Sequence, residues 1–140
     1  MNRPDEAVYY TKENVSLMEY KLHKYVYDLH IVNIPKIKSY NKETKQMKTV
    51  RVGTMSVSDY YGESAENISD ELFSKIRNMV QILYNHDVLY VDITGYNFIE
   101  NDNKLWIIDF GNATYNYPRK PDDFVEKFLA GYNGWNQEYM

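Results

Sequence analysis

The sequence predicts an α+β fold. Three observations carry that prediction. Apolar residues recur at helical spacing in two stretches, 16–30 and 67–84. Between them, residues 34–52 read as two strand-forming arms around a polar turn. Residues 88–111, VLYVDITGYNFIENDNKLWIIDFG, hold two short apolar runs that each end in aspartate. At 140 residues the chain reads as one domain, long enough to bury about 70 % of its unfolded surface.

The elements follow in chain order. Residues 1–14 read as loosely structured, with a short strand at 7–11 because Val and Tyr favour strands. In 16–30, Met18, Leu22, Tyr25, Val26 and Leu29 form one apolar stripe. Ser16-x-x-Glu19 is a capping-box pattern, which would spend Glu19 on the helix start. The arms 34–40 and 46–52 flank the turn 41–45. Residues 58–62 form a short helix or turn. In 67–84, Leu72, Phe73, Ile76, Met79, Val80 and Leu83 point inward, Asp70, Glu71, Lys75 and Arg77 outward, and Asn67 or Ser69 caps the start. His86 follows, where a histidine ordinarily caps the helix end. Strand pieces 88–91, 96–100 and 105–108 come next, the last two joined by Asn101-Asp102-Asn103. A loop at 112–121 leads to a helix at 122–130 carrying Phe124, Phe128 and Leu129. The tail 131–140 has no regular period, and Trp135 in it is expected to cover the core.

Within 88–111, an apolar run ends at Asp92, Asn97 completes Asp-x-x-x-x-Asn, and a hairpin ends in Asp109-Phe110-Gly111. This order resembles the catalytic loop and metal-binding segment of protein kinases. The resemblance implies a minimal kinase-like fold: a reduced N-lobe of helix C and a strand hairpin over a small helical C-lobe. It divides the chain into an N-terminal segment 1–15, a remnant N-lobe 16–53 and a minimal C-lobe 54–140. It implies Mg2+ and ATP as cofactors, Asp92 as the base for the acceptor hydroxyl, and Asn97 and Asp109 as metal ligands. A carboxylate and an amide oxygen are donors that Mg2+ accepts. By position Glu19 matches the helix C glutamate, and Lys12, seven residues before it, is the candidate for its phosphate-binding lysine partner. Arg51, Val52 and Gly53 match the hinge that faces an adenine.

The departures point to a particular relative. Tyr90 and Val91 replace the usual His-Arg, so no arginine precedes Asp92. Thr94 stands where serine/threonine kinases place a lysine, and it would lie near the γ-phosphate. Asp-Ile-Thr-x-x-Asn looks like the small atypical RIO-type kinases and their KEOPS-complex relatives, and like short kinase-like proteins of large DNA viruses. No G-x-G-x-x-G phosphate loop occurs anywhere in the chain, and the length is short for a two-lobed kinase.

Composition narrows the partners. There is no cysteine, hence no disulfide framework or thiolate metal site. No apolar run approaches a membrane span. The net charge of −4 argues against nucleic-acid binding. These features fit an intracellular, cytoplasmic protein; the viral resemblance extends that to an infected host cell or a virion. Charge is uneven: residues 1–53 carry 10 basic and 6 acidic side chains, residues 54–140 carry 6 and 14. Two functions fit the residues. One is a serine/threonine-type phosphotransferase; the other is an inactive kinase mimic that binds and regulates a partner protein. The edge of strand 46–52 reads as unpaired, which predicts a homodimer or a protein partner through the N-terminal half.

Overall fold

A computed structural model describes residues 8–140. The first residue of the strand predicted at 7–11, Ala7, lies outside them. The chain runs β1 (Tyr9–Lys12), α1 (Leu17–Leu29), β2 (Ile37–Asn41), β3 (Gln46–Val50), α2 (Val57–Tyr61), α3 (Asp70–Asn85), β4 (Val88–Leu89), β5 (Phe98–Asn101), β6 (Lys104–Ile107), β7 (Thr114–Tyr115) and α4 (Asp123–Leu129), with 3-10 turns at Ala65–Asn67, Gly95–Asn97 and Gln137–Tyr139. No helix of the described residues is long and apolar enough to cross a membrane.

The first three strands form one antiparallel sheet in the order β1-β3-β2. Asn41 shapes the hairpin turn, its side-chain oxygen accepting from the Glu43 and Thr44 amides. β1 pairs along the outer side of β3, Tyr9 opposite Val50 and Lys12 opposite Met47. This corrects the expected open edge at 46–52. The short strand read at 7–11 fills it as β1, because Tyr-Tyr-Thr suits a half-buried strand. Strand addition by another chain at that edge is therefore not available.

α1 crosses this sheet, with Tyr20 stacked on Tyr40 of β2 at 4.4 Å between ring centroids. Ser16 caps it by accepting from the Glu19 amide at 3.1 Å. The inward face is Glu19, Leu22, His23 and Val26. Leu22 and Val26 of the predicted stripe are buried, but its ends are not: Met18 is 54 % exposed and Leu29 39 %. The reason is polar: Glu19 and His23 take inward positions because each has a hydrogen-bond partner there, Lys12 and the Pro35 carbonyl. His23 Nε2 donates to the Pro35 carbonyl at 2.7 Å.

The main core lies below. α3 is capped by Ser69, starts three residues later than predicted, and buries the six predicted apolar residues. They meet Phe98, Ile107, Phe110, Phe128 and Trp135. Trp135 is 2 % exposed and packs on Phe73 at 4.8 Å. Arg77 is not an outward side chain. It donates to the carbonyls of Phe128 and Tyr132 and to Asn133 Oδ1, tying α4 and the tail to α3. His86 Nδ1 donates to the Ile82 carbonyl, the helix-end role expected of it.

The linker after β3 is pressed onto the lower half. A Cβ on Gly53 would lie 2.7 Å from Ile99 Cγ2, closer than any side chain tolerates. Asn101 Nδ2 donates to the Val52 carbonyl at 2.6 Å.

Candidate active site

The β5–β6 hairpin brings Asn97 and Asp109 together. Its two-residue turn, Asp102-Asn103, has both residues at positive φ, the geometry a tight hairpin needs. The ladder runs from Asn101 opposite Lys104 to Phe98 opposite Ile107. One step beyond, the Ile108 amide donates to the Asn97 carbonyl at 3.0 Å. Asn97 and Asp109 therefore leave the same end of one hairpin.

Asp109 is fixed from several sides. Its Oδ1 accepts from the Gly111 amide at 2.7 Å and from Lys12 Nζ at 2.9 Å. Its carbonyl accepts from the Tyr90 hydroxyl at 2.5 Å. Tyr90 is 1 % exposed. Burial, with the nearby carboxylates of Asp109 and Asp92, pushes its phenol well above the ordinary value, so it remains a neutral donor. A Cβ on Gly111 would sit 3.0 Å from Asp109 Oδ1 and 3.3 Å from Glu19 Oε1. Glycine is what lets the backbone fold back this closely.

Lys12 joins the two halves. Its ammonium bonds Glu19 Oε2 closely and Asp109 Oδ1 as well. Glu19 is 7 % exposed and Lys12 23 %. Burial acts to lower the Lys12 ammonium, but the charge of Asp109 and hydrogen bonds from both carboxylates outweigh it and raise the pKa. Burial raises the Glu19 carboxyl, against the pull of Lys12. Lys12 has a carboxylate on each side, which favours its charged form. Glu19 thus points at Lys12, and the reciprocal half of the predicted capping box is not formed.

Removing one member of such a pair leaves a buried charge. Lys12→Met is expected to cost about 2 kcal/mol, less than for a fully buried pair because Lys12 is partly exposed. Lys12→Met combined with Glu19→Leu should regain most of that loss. Urea unfolding of the two variants checks this. Equal stability of Lys12→Met and wild type would show that the pair contributes nothing to the fold.

Asp92 sits in the loop between β4 and the Gly95–Asn97 turn. Its carbonyl accepts from Asn97 Nδ2 at 2.8 Å, and its Oδ2 accepts from Asn112 Nδ2 at 2.8 Å. Thr94 is buried, with Oγ1 3.5 Å from Asp92 Oδ1, at the outer limit of a hydrogen bond. The Asn97 side-chain nitrogen is spent on the Asp92 carbonyl, which leaves its Oδ1 as the atom that could take a metal.

Arg51, Val52 and Gly53 line a cavity of about 320 Å3 with Tyr10, Ile99 and Ile108. That volume lies at the small end of the range for ligand pockets. Two polar groups of the linker are already paired: the Arg51 amide donates to the Val8 carbonyl, and the Val52 carbonyl accepts from Asn101. Among the described residues, no three of His, Cys, Asp and Glu cluster as a metal site. The donors on offer are one carboxylate and one amide oxygen. That hard pair suits Mg2+, which keeps phosphate oxygens and water for its other positions.

The structure therefore brings Lys12, Glu19 and Asp109 into one network, and Asp92, Thr94 and Asn97 into the adjoining loop. Tyr10 and Asn112 also belong here and were not singled out from the sequence; Tyr90, noted there only as a departure from His-Arg, proves to hold the Asp109 carbonyl. Asn112 directly follows Asp109-Phe110-Gly111, and that adjacency was the available signal.

The comparisons follow from this geometry. A protein-family model described as RIO1, RIO domain, matches residues 7–128. Among solved structures, the kinase PK-1 of the Cydia pomonella granulovirus matches with a TM-score of 0.58 at 14 % identity. The match covers 76 % of this chain and 43 % of that one, so the chain spans less than half of the granulovirus kinase. That likeness shows the fold: α+β, kinase-like, with both lobes reduced. No curated protein matches the chain.

Proposed function

The chain belongs to the RIO domain family, and on that premise we propose that it binds a magnesium–nucleoside triphosphate and transfers a phosphoryl group to a serine or threonine hydroxyl. What supports this reading most is the convergence of Lys12, Glu19 and Asp109 from β1, α1 and the segment after β6. A bound Mg2+–ATP would supply the transferable phosphoryl group and, through the metal, neutralise charge on its oxygens. Asp109 and Asn97 would hold the metal. Lys12, already held by two carboxylates, would be the cation for phosphate oxygens. Ile99 and Ile108 line the cavity beside the linker, where a base would rest. Base recognition would fall to the Val52 and Gly53 amides and the Arg51 carbonyl. Asp92 would take the acceptor proton on Oδ1, since Asn112 engages Oδ2. Thr94 would steady that oxygen. Confinement to the cytoplasm, a host cell or a virion belongs to the same reading.

Calorimetry and thermal shift with Mg–ATP test the binding half. A nucleotide at one hundred times its dissociation constant stabilises the fold by about 2.7 kcal/mol. Asp109→Asn is expected to remove most of that gain. An equal shift in both proteins would place the metal elsewhere.

A second reading is favoured by one observation: the Arg51 amide and Val52 carbonyl are paired inside the protein. A fold with fewer open base-recognition groups suits a non-catalytic partner-binding role. A protein partner or second copy acting through the N-terminal half would use the outer sides of β1 or β2. Mg–ATP that binds neither wild type nor variant supports this reading.

A further inference from the structure

Asn136 lies 45 residues beyond Val91 in sequence, yet its Nδ2 donates to the Val91 carbonyl at 2.8 Å. Its own amide donates to the Ile93 carbonyl, also at 2.8 Å. These two carbonyls flank Asp92. The carbonyl between them, that of Asp92, accepts from Asn97 Nδ2. Three consecutive carbonyls are thus held from alternate sides, the outer two by one residue. Asn136 is 5 % exposed. Its neighbour Trp135 is wedged against the same loop: a Cβ on Gly95 would lie 3.1 Å from the indole and 2.2 Å from Ser58 Oγ.

We propose that Asn136 is a positioning residue for the catalytic loop, the group that sets the direction of the Asp92 carboxylate. The inference rests on the phosphotransferase reading of Asp92. Its physical basis is that peptide orientation on both sides of a residue fixes where its side chain leaves the backbone. The peptide before Asp92 carries the Val91 carbonyl, held by Asn136, and the peptide after it carries the Asp92 carbonyl, held by Asn97. The Asn136 amide fixes the next peptide through the Ile93 carbonyl, so Asp92 has little freedom beyond its own side-chain torsions, and Asn112 restrains those. The clasp touches neither Asp109 nor Lys12. It therefore acts on acceptor chemistry rather than on nucleotide binding.

The side chain has two separable jobs. Its Oδ1 accepts from the Glu138 amide at 3.3 Å and caps the turn Gln137–Tyr139. Its Nδ2 makes the clasp. Asn136→Asp keeps an acceptor for Glu138 but sets a carboxylate oxygen against the Val91 carbonyl. A one-ångström misplacement of a reacting group costs about 100-fold in rate. In Asn136→Asp, kcat is expected to fall about 10- to 100-fold, with the Mg–ATP dissociation constant within about twofold of wild type, a change small beside one decade. Hydrogen exchange of the Ile93 and Thr94 amides should quicken, since both donate within this loop. Asn136→Ala, which loses cap and clasp together, should show the same kcat loss and a larger stability loss.

Unchanged kcat in a wild type that turns over, or kcat and nucleotide affinity falling together, would overturn the proposal. A wild type with no turnover on any acceptor refutes the phosphotransferase reading and the catalytic consequence with it. Unchanged exchange at residues 93 and 94 in Asn136→Asp would refute the clasp itself, whatever the activity.

Discussion

Replacing Asp92 by asparagine is expected to slow phosphoryl transfer by about 100- to 10,000-fold, the range over which a positioned general base acts. Nucleotide binding should barely change. The reason is local. Asp92 contacts Asn112, Thr94 and Asn97, and none of these contacts passes through Lys12 or Asp109. An asparagine has nearly the same shape, its carboxamide oxygen still accepts from Asn112, and the backbone carbonyl still accepts from Asn97. What it loses is the capacity to take a proton from an acceptor hydroxyl. Single-turnover transfer from labelled ATP measures the loss, and calorimetry measures the binding that should persist. A variant that turns over like wild type would remove Asp92 from the chemistry. A variant that binds nucleotide much more weakly would mean the two halves of the site are coupled through the loop.

Trp135→Ala is expected to cost about 3–5 kcal/mol, as for other fully buried aromatic side chains cut to alanine. The indole is 2 % exposed, sits on Phe73 and fills the space under Gly95. In a domain of this size the melting temperature should drop by roughly 10 °C or more. Trp135→Phe is expected to be mild by comparison. The indole N–H has no hydrogen-bond partner among the described residues, so phenylalanine forfeits volume but no bond. Thermal and urea unfolding of both variants distinguish these outcomes. A loss below about 1 kcal/mol for alanine would show that the tail is an appendage and not part of the core.

How much of this was legible in the sequence depends on the distance over which each feature is encoded. Asp92, Asn97 and Asp109 were legible because one hairpin and one loop set their spacing. α3 was legible because its apolar residues keep a strict period. In α1, Leu22 and Val26 were legible, but hydrophobicity favours Met18 and Leu29 whereas the remaining inward positions go to Glu19 and His23, whose partners are Lys12 and Pro35. β1 was underrated because its partner β3 begins more than thirty residues later and nothing local announces the pairing. Arg77 read as solvent-facing for the same reason: its acceptors are in α4 and the tail. Asn136 was invisible, being one polar residue in an aperiodic stretch. The candidate site residues were written locally, whereas the parts that hold them in place were written in long-range contacts.

The loop around Asp92 is held by three carboxamides, those of Asn97, Asn112 and Asn136. None of them carries a charge. Their grip should not be screened by salt, in contrast to the charged cluster at Lys12. Carboxamides have a different weakness, because asparagine is among the thermolabile side chains. Slow hydrolysis turns the amide into an acid, and at residue 136 it would replace the donor facing Val91 with an acceptor. Ageing in warm solution would thus create, molecule by molecule, a protein that keeps its shape while the loop around Asp92 loses one of its three clasps.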